Sequence, residues 1–130
     1  MTILVAYAPR PEGQAALLKG IEIAKRRKER LVVINVSSGS GEHDAALAEP
    51  MDVERVEQLF KESEVDAVFR QYVRGRTVVE ELDGIIESAQ VSLVVIGLRK
   101  RTAVGKLFLG SVAQEILLSV PCPVLAVKAR

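Results

Sequence analysis

Two apolar patterns alternate along this chain, and their alternation constrains the fold more than any other feature of the sequence. Five short apolar segments predict β-strands, at Ile3–Ala6, Leu31–Val36, Ala67–Val73, Val91–Ile96 and Val124–Val127. Four of the five are nearly continuous in Val, Ile and Leu, which is typical of strands that are covered on both faces in a parallel sheet.

Helical patterns separate these strands. The clearest is an apolar stripe through Val78, Leu82, Ile85, Ile86 and Ala89, whose spacing places five side chains on one face of a helix. Similar stripes run through three other sets: Leu17, Ile21 and Ala24; Val53, Val56, Leu59 and Phe60; and Ala113, Ile116, Leu117 and Val120. The order βαβαβαβαβ predicts an α/β fold, an open five-stranded parallel sheet with helices on both faces.

Composition narrows the class of partner. With 130 residues, 48% of them apolar, we expect one domain spanning residues 1–130. Eighteen basic and seventeen acidic residues leave a net charge of +1, which gives no global attraction to nucleic acid or to an anionic membrane. The single cysteine, Cys122, suits a reducing compartment, and no apolar run approaches the ~20 residues that span a bilayer. We expect a cytoplasmic protein.

The segment after the fourth predicted strand has the most lopsided charge in the chain. No acidic residue occurs between Ser88 and Gln114, whereas Arg99, Lys100, Arg101 and Lys106 fall within eight positions. Sheets of this class bind ligands beyond the carboxyl ends of their strands, where strand order reverses. We therefore expect this segment to attract an anion, with Arg99, Lys100 and Lys106 as candidate contacts.

Gly110 and Ser111 lie where the last helix is predicted to begin. A helix N-terminus with unpaired NH groups is a phosphate site, although Ser111 could instead merely cap the helix beside solvated cations. A P-loop is the rival motif, and Gly105-Lys106 fits it. However, Lys100 occupies the place of its leading glycine and Leu107 that of its magnesium-binding hydroxyl, so no motif predicts magnesium.

At these residues the sequence resembles the universal stress protein family, over essentially its whole length. The nucleotide signature of that family is a glycine, two residues, a second glycine, nine residues, then Gly-Ser or Gly-Thr. Gly97 and Gly110-Ser111 match it in type and spacing. The closing segment Ser119–Val127, with its proline-bounded turn, also resembles the end of family members.

The resemblance implies a Rossmann-like fold of the adenine nucleotide alpha hydrolase type, with strand order 3-2-1-4-5. It also implies that ATP or an AMP-like adenine nucleotide binds with its base near Val36 and Ile96 and its phosphates at Gly97, Gly110, Ser111 and Val112. Apolar residues at strand ends are more often simply core.

The last strand carries a second implication of the resemblance. Family members form homodimers through this strand, here Val124, Leu125, Ala126 and Val127. An apolar strand at a sheet edge favours such pairing independently, because its backbone groups lack partners.

Two positions depart from the family pattern. Lys100 replaces the second glycine, where an ammonium could pair with a phosphate or could block the loop. Ala8, followed by Pro9, replaces the aspartate that ends the first strand and holds the ribose and adenine. These departures weaken the prediction for base and sugar more than that for phosphate.

No reaction centre is evident in the sequence. His43 is the only histidine, and no arrangement of metal-ligand spacing surrounds it. We interpret Cys122 as a small hydrophobe and Glu80 and Glu81 as the exposed face of a helix. The favoured hypothesis is a nucleotide-binding stress-response dimer read by a protein partner. The alternatives are a nucleotide-free interaction module of the same fold and a slow ATP hydrolase.

Overall fold

The computed structural model describes residues 1–37, 46–100 and 107–129, without the side chains of residues 100, 107 and 108. The strands are β1 (Thr2–Ala6), β2 (Arg30–Ser37), β3 (Ala67–Val73), β4 (Val91–Lys100), β5 (Leu107–Phe108) and β6 (Val124–Lys128). The helices are α1 (Pro11–Arg27), α2 (Pro50–Ser63), α3 (Val78–Ser88) and α4 (Ser111–Ser119). Within the described ranges, no helix is long and apolar enough to cross a membrane.

The five long strands form a parallel sheet in the order β3-β2-β1-β4-β6. Counted along the chain without the two-residue β5, this is the order 3-2-1-4-5, so the predicted fold class and strand order are confirmed. Strand order reverses between β1 and β4, because the chain moves outward to β2 and β3 and then returns to the other side of β1. A crevice at the carboxyl ends of β1 and β4 follows from this reversal.

Two hydrophobic cores cover the two faces of the sheet. On one face Ile3 and Val5 of β1 pack with buried residues of α1 and α2, such as Leu17 and Val56. On the other face Leu4 packs with buried residues of α3 and α4. Successive side chains of a strand point to opposite faces, which explains why the strands are continuously apolar.

The prediction that the fourth strand ends at Ile96 was wrong. Strand β4 continues to Lys100, because Gly97 and Leu98 pair with β6 while Arg99 and Lys100 pair with the antiparallel β5. Gly97 to Lys100, which were expected to follow the strand, are therefore part of it. Strand β5 was not predicted, since two residues give no periodicity.

The prediction that Glu81 belongs to an exposed helix face was also wrong. Glu81 is 2% exposed, whereas Glu80 beside it is exposed as expected. The guanidinium of Arg74, which follows β3, donates to both Glu81 oxygens at 2.8 and 2.6 Å. This bidentate pairing stabilises a carboxylate that burial would otherwise disfavour.

Candidate functional site

A cavity of about 430 Å³ opens at the point where strand order reverses. It lies at the carboxyl ends of β1, β2 and β4 and is bordered by the N-terminal ends of α1, α3 and α4. Its lining comprises Ala6, Tyr7, Ala8, Arg10, Glu12, Gly13, Ile34, Val36, Ala46, Val78, Ile96, Gly97, Arg99, Gly110, Ser111, Val112, Ala113 and Ile116.

Most of the residues predicted from the sequence to bind a nucleotide line this one cavity. They are Ala8, Val36, Ile96, Gly97, Arg99, Gly110, Ser111 and Val112. Pro9 instead lines a neighbouring cavity of about 250 Å³, which Asp52 and Arg55 of α2 also border. The side chain of Lys100 and all of Lys106 lie outside the described residues, so their contacts stay predictions.

The wall on the α3 and α4 side of the cavity is apolar. Ile34 and Val36 alternate on β2 and therefore point to the same face, where Ile96 and Val78 also lie. Val36 is 8% and Ile96 3% exposed, and both belong to the core beneath the cavity. They are core residues, as the simpler interpretation had it, and they also line the cavity.

Helix α4 begins at the cavity. Its N-cap residue is Gly110, in an extended conformation with φ −65° and ψ 163°, and Ser111 is the first helical residue. No side chain among the described residues caps it, and its first turn contains no acid. The interpretation in which Ser111 serves as the cap was therefore wrong.

The consequence is a set of backbone donors at the cavity wall. The first intrahelical bond runs from the Gln114 NH to the Gly110 carbonyl at 3.0 Å. The NH groups of Ser111, Val112 and Ala113 precede that bond, so they have no partner within the helix. Together with the positive end of the helix dipole, they can bind an anion.

The wall opposite α4 is built by close backbone packing. In the turn after β1, the Arg10 amide donates to the Ala8 carbonyl at 2.7 Å, and Pro11 opens α1. A Cβ at Gly13 would collide with the backbone of Ala8, and a Cβ at Gly97 would collide with the backbone of Glu12. Gly97 thus has a packing role that is independent of any ligand.

Three charged side chains line the cavity within the described residues: Arg10, Glu12 and Arg99. The Glu12 Oε1 and Arg99 Nε atoms lie 3.7 Å apart, an ion pair slightly beyond hydrogen-bond distance. No acidic residue lies near Arg99 in the sequence, but the fold brings the carboxylate of Glu12 close to it. Sequence reasoning missed Glu12, although an acid in the first turn after a predicted ligand-binding turn was a usable signal.

Asn35 is a second residue that sequence reasoning missed. It is fully buried on β2, and its Nδ2 donates to the carbonyls of Tyr7 at 3.0 Å and Ala46 at 2.6 Å. Its Oδ1 accepts from the Ala48 NH at 2.8 Å and from Gln71 Nε2 at 2.9 Å. Asn35 therefore ties the ends of three neighbouring strands together, and two of its partners, Tyr7 and Ala46, line the cavity. A polar residue inside a buried apolar segment was the signal.

Two other side chains that could react, those of Tyr7 and Cys122, lie in surroundings that disfavour their ionised forms. Burial, and then the charge of Asp52, raise the pKa of Tyr7, whose ring contacts Phe69 edge to face. Burial raises the pKa of the Cys122 thiol, which packs at the edge of the core. His43 lies outside the described residues. Within the described part, no three His, Cys, Asp or Glu side chains cluster as metal ligands.

Comparisons with known proteins give consistent similarities. The profile of the universal stress protein family matches residues 1–128. A universal stress protein of Mycolicibacterium smegmatis is 48% identical over 126 residues, which is 97% of this chain and 96% of the relative. The solved structure of a universal stress protein from Archaeoglobus fulgidus superposes with a TM-score of 0.73 at 25% identity, and covers 98% of both chains.

Two more distant structures of the same fold were solved with ligands. One is a universal stress protein from Archaeoglobus fulgidus in complex with dAMP, at a TM-score of 0.69 and 21% identity, with 98% of both chains covered. The other is a universal stress protein in complex with cAMP, at a TM-score of 0.70 and 17% identity, with 100% of this chain and 98% of the other covered.

Proposed function

This chain belongs to the universal stress protein family, and from that premise we propose that it is a stress-response regulatory protein that binds an adenine nucleotide, ATP or AMP-like. The site is the cavity between β4 and the start of α4. The observation that carries the proposal is the N-terminus of α4, which no side chain of the described residues caps and which borders the same cavity as an apolar wall. A nucleotide needs both surfaces, an anion site for phosphate and an apolar surface for the base.

In this proposal the phosphates bind at the α4 end of the cavity. The NH groups of Ser111 and Val112 donate to phosphate oxygens, and Gly110 lets them approach closely. Gly97 of β4 forms the facing wall. Arg99 contributes charge rather than a fixed hydrogen bond, because its side chain is 55% exposed.

The base packs against the apolar wall formed by Val36 and Ile96. The dAMP and cAMP complexes of the two solved relatives support an adenine ligand of this size. Ala8 contributes only a methyl group at the cavity, so the sugar must find its hydrogen-bond acceptors elsewhere. These lining residues favour strong contacts to the phosphate and weak selectivity for the sugar.

We infer binding rather than turnover. Among the described lining residues, the only carboxylate is that of Glu12, which is paired with Arg99. A phosphoryl-transfer site requires a positioned base and magnesium ligands, and we propose no magnesium site. In this proposal the bound nucleotide sets the conformation of the protein, and a regulatory protein partner recognises that conformation. The chain acts as one domain, and it acts in the cytoplasm.

The test is to identify what the purified protein carries and binds. Mass spectrometry of released small molecules, followed by calorimetric titration with AMP and ATP, should show an adenine nucleotide that raises the melting temperature. Gly110→Val should abolish that rise without unfolding the protein, because valine adopts the extended backbone of Gly110. Gly84→Val, in the exposed middle of α3, adds the same atoms away from the cavity and should retain it. Failure of every adenine nucleotide to bind near millimolar concentration contradicts the proposal.

We further propose a homodimer formed through β6, with Val124, Leu125, Ala126 and Val127 at the contact. Among the described strands β6 pairs only with β4, so its other edge is available, and Leu125 is 36% exposed. Leu125→Lys should shift the protein toward monomer in light-scattering measurements, because a charge at an edge opposes pairing. Met51→Lys, at an exposed position on α2, is the matched control.

A nucleotide-free interaction module is the second candidate, favoured by Ala8 at the place of a carboxylate and by the exposed apolar surface of α4. Leu118 is 87% and Val112 48% exposed. In this candidate, Gly110→Val leaves partner binding and dimerisation intact, and purified protein carries no nucleotide.

A further inference from the structure

One carboxylate faces the end of the cavity at which the phosphates are proposed to bind. Glu12 lies in the first turn of α1, and its backbone packs directly against Gly97. The Glu12 side chain is 18% exposed and pairs with Arg99 at 3.7 Å. Glu12 therefore places a negative charge beside the phosphate end and partly neutralises the cation that β4 offers there.

The charge balance of the cavity limits the ligand that it suits. The charged groups of the described lining are two arginines and Glu12, which leaves one net positive charge. A ligand with one or two negative charges is balanced by that charge and by the helix dipole. A polyphosphate brings further negative charge close to the Glu12 carboxylate, which Arg99 offsets only in part at a separation of 3.7 Å.

We propose that Glu12 is a specificity-determining residue, which makes this cavity prefer adenine ligands of low negative charge, cyclic or simple monophosphates, over the triphosphate. The inference rests on the proposed adenine nucleotide site. Like charges a few ångströms apart in a solvated site lower affinity by about threefold to tenfold for each added charge. Glu12 acts in two ways, since it repels the extra phosphates and partly neutralises the charge of Arg99.

The test is a charge series measured at low ionic strength, where screening is weak. The wild-type protein and Glu12→Gln are titrated by calorimetry with adenosine, cAMP, AMP and ATP. Wild-type protein should bind cAMP and AMP more tightly than ATP. Glu12→Gln should raise the affinity for ATP by at least about tenfold and that for AMP by about threefold, and leave adenosine unchanged, as a charge effect requires.

The matched control is Glu87→Gln, which removes the same charge from an exposed position near the C-terminal end of α3, away from the cavity. It should leave the ratio of AMP to ATP affinity unaltered. A role of Glu12 in stabilising the start of α1 would lower the melting temperature but would not change that ratio.

Each other outcome is decisive. If the nucleotides bind but Glu12→Gln leaves the AMP-to-ATP ratio unchanged, Glu12 sets no specificity, while the proposed nucleotide site stands. If Glu12→Gln weakens all four ligands, adenosine included, Glu12 is a hydrogen-bond acceptor for the ligand and the charge argument is overturned. If no ligand binds either protein, the proposed function itself fails.

Discussion

Helices α3 and α4 both begin at the cavity, but they differ in which groups accept hydrogen bonds from the NH groups of their first turns. At the start of α3, Thr77 Oγ1 accepts from the Glu80 NH at 3.1 Å, and Glu80 Oε1 accepts from the Thr77 NH at 2.9 Å. Glu80 also adds negative charge to the first turn, whereas the charge of Glu81 is paired with Arg74. At the start of α4, Gly110 offers no side chain, and neither a capping side chain of the described residues nor a first-turn acid is present.

The difference shows when a helix N-terminus can serve as a ligand site. Helix α3 supplies its own acceptors and its own negative charge, so an anion would compete with groups that are already in place. Within the described part of the chain, helix α4 has neither a capping acceptor side chain nor a negative charge in its first turn. A helix start at the cavity is therefore not by itself an anion site, and of α3 and α4 the one without a side-chain cap or a first-turn acid is the candidate.

The largest effect we expect concerns the wall that faces α4. Gly97→Ala should destabilise the protein by about 1–3 kcal/mol, because the new Cβ meets the Glu12 backbone, which cannot move without shifting α1. Gly84→Ala is the control, since nothing lies within 4 Å of a Cβ there. It should stabilise the protein by about 0.5–1 kcal/mol through helix propensity. Urea denaturation measures both, and equal stability of the two variants would show that the wall is loosely packed.

The next largest effect should follow from making α4 resemble α3. Gly110→Asp places a capping carboxylate at an extended residue, so it should stabilise the helix slightly and lower AMP affinity by at least about tenfold. Gly84→Asp adds the same charge on α3 and should leave the affinity unaltered. Unchanged AMP affinity of Gly110→Asp in calorimetry would mean that phosphate does not bind at the start of α4.

A smaller effect is expected from removing the N-terminal cap of α3. Thr77→Ala removes its cap and should cost about 1 kcal/mol of stability, with no gain in AMP affinity, because Glu80 still carries a negative charge at that end. Ser88→Ala, at the other end of α3, should change stability by less than about 0.5 kcal/mol. Tighter AMP binding by Thr77→Ala would show that capping alone decides between the two helix starts.

The smallest effect is on the acid dependence of stability. Hydrogen bonds from the Thr77 backbone, and then from its side chain, hold the pKa of Glu80 below its usual value of 4.5. A carboxyl whose pKa is lowered by folding stabilises the protein above the unfolded pKa, and that contribution is lost as the pH falls through the folded pKa. Glu80→Gln should therefore show a shallower loss of melting temperature below pH 4.5. An identical acid limb in both proteins would contradict the capping box.

The fold was predictable because its signal is repeated along the whole chain. Continuous apolar strands such as Leu31–Val36 require cover on both faces, and the intervening stripes supply it. The end of β4 was not predictable, because Gly97 to Lys100 have no strand pattern of their own and become strand through pairing with β5 and β6.

The site was predictable where local motifs carry it, and not where distant residues meet. Gly97 and Gly110-Ser111 could be located because their spacing matches the nucleotide signature of the family. The pairing of Glu12 with Arg99 joins α1 to β4, and that of Arg74 with Glu81 joins β3 to α3. Each pair depends on a contact between residues of different elements, and neither the periodicity nor the composition of the sequence predicts such a contact. Asn35 lies between these cases, since its polarity in an apolar strand was visible but its partners were not.

The central claim is that phosphate binds at the open start of α4 and not at the capped start of α3. Backbone amide NMR of the wild-type protein during titration with AMP tests it most directly. We expect the amide signals of Ser111 and Val112 to shift strongly and saturably, and those of Val79 and Glu80 to shift little. Saturable shifts confined to α3, or none at either helix near millimolar AMP, would contradict the account.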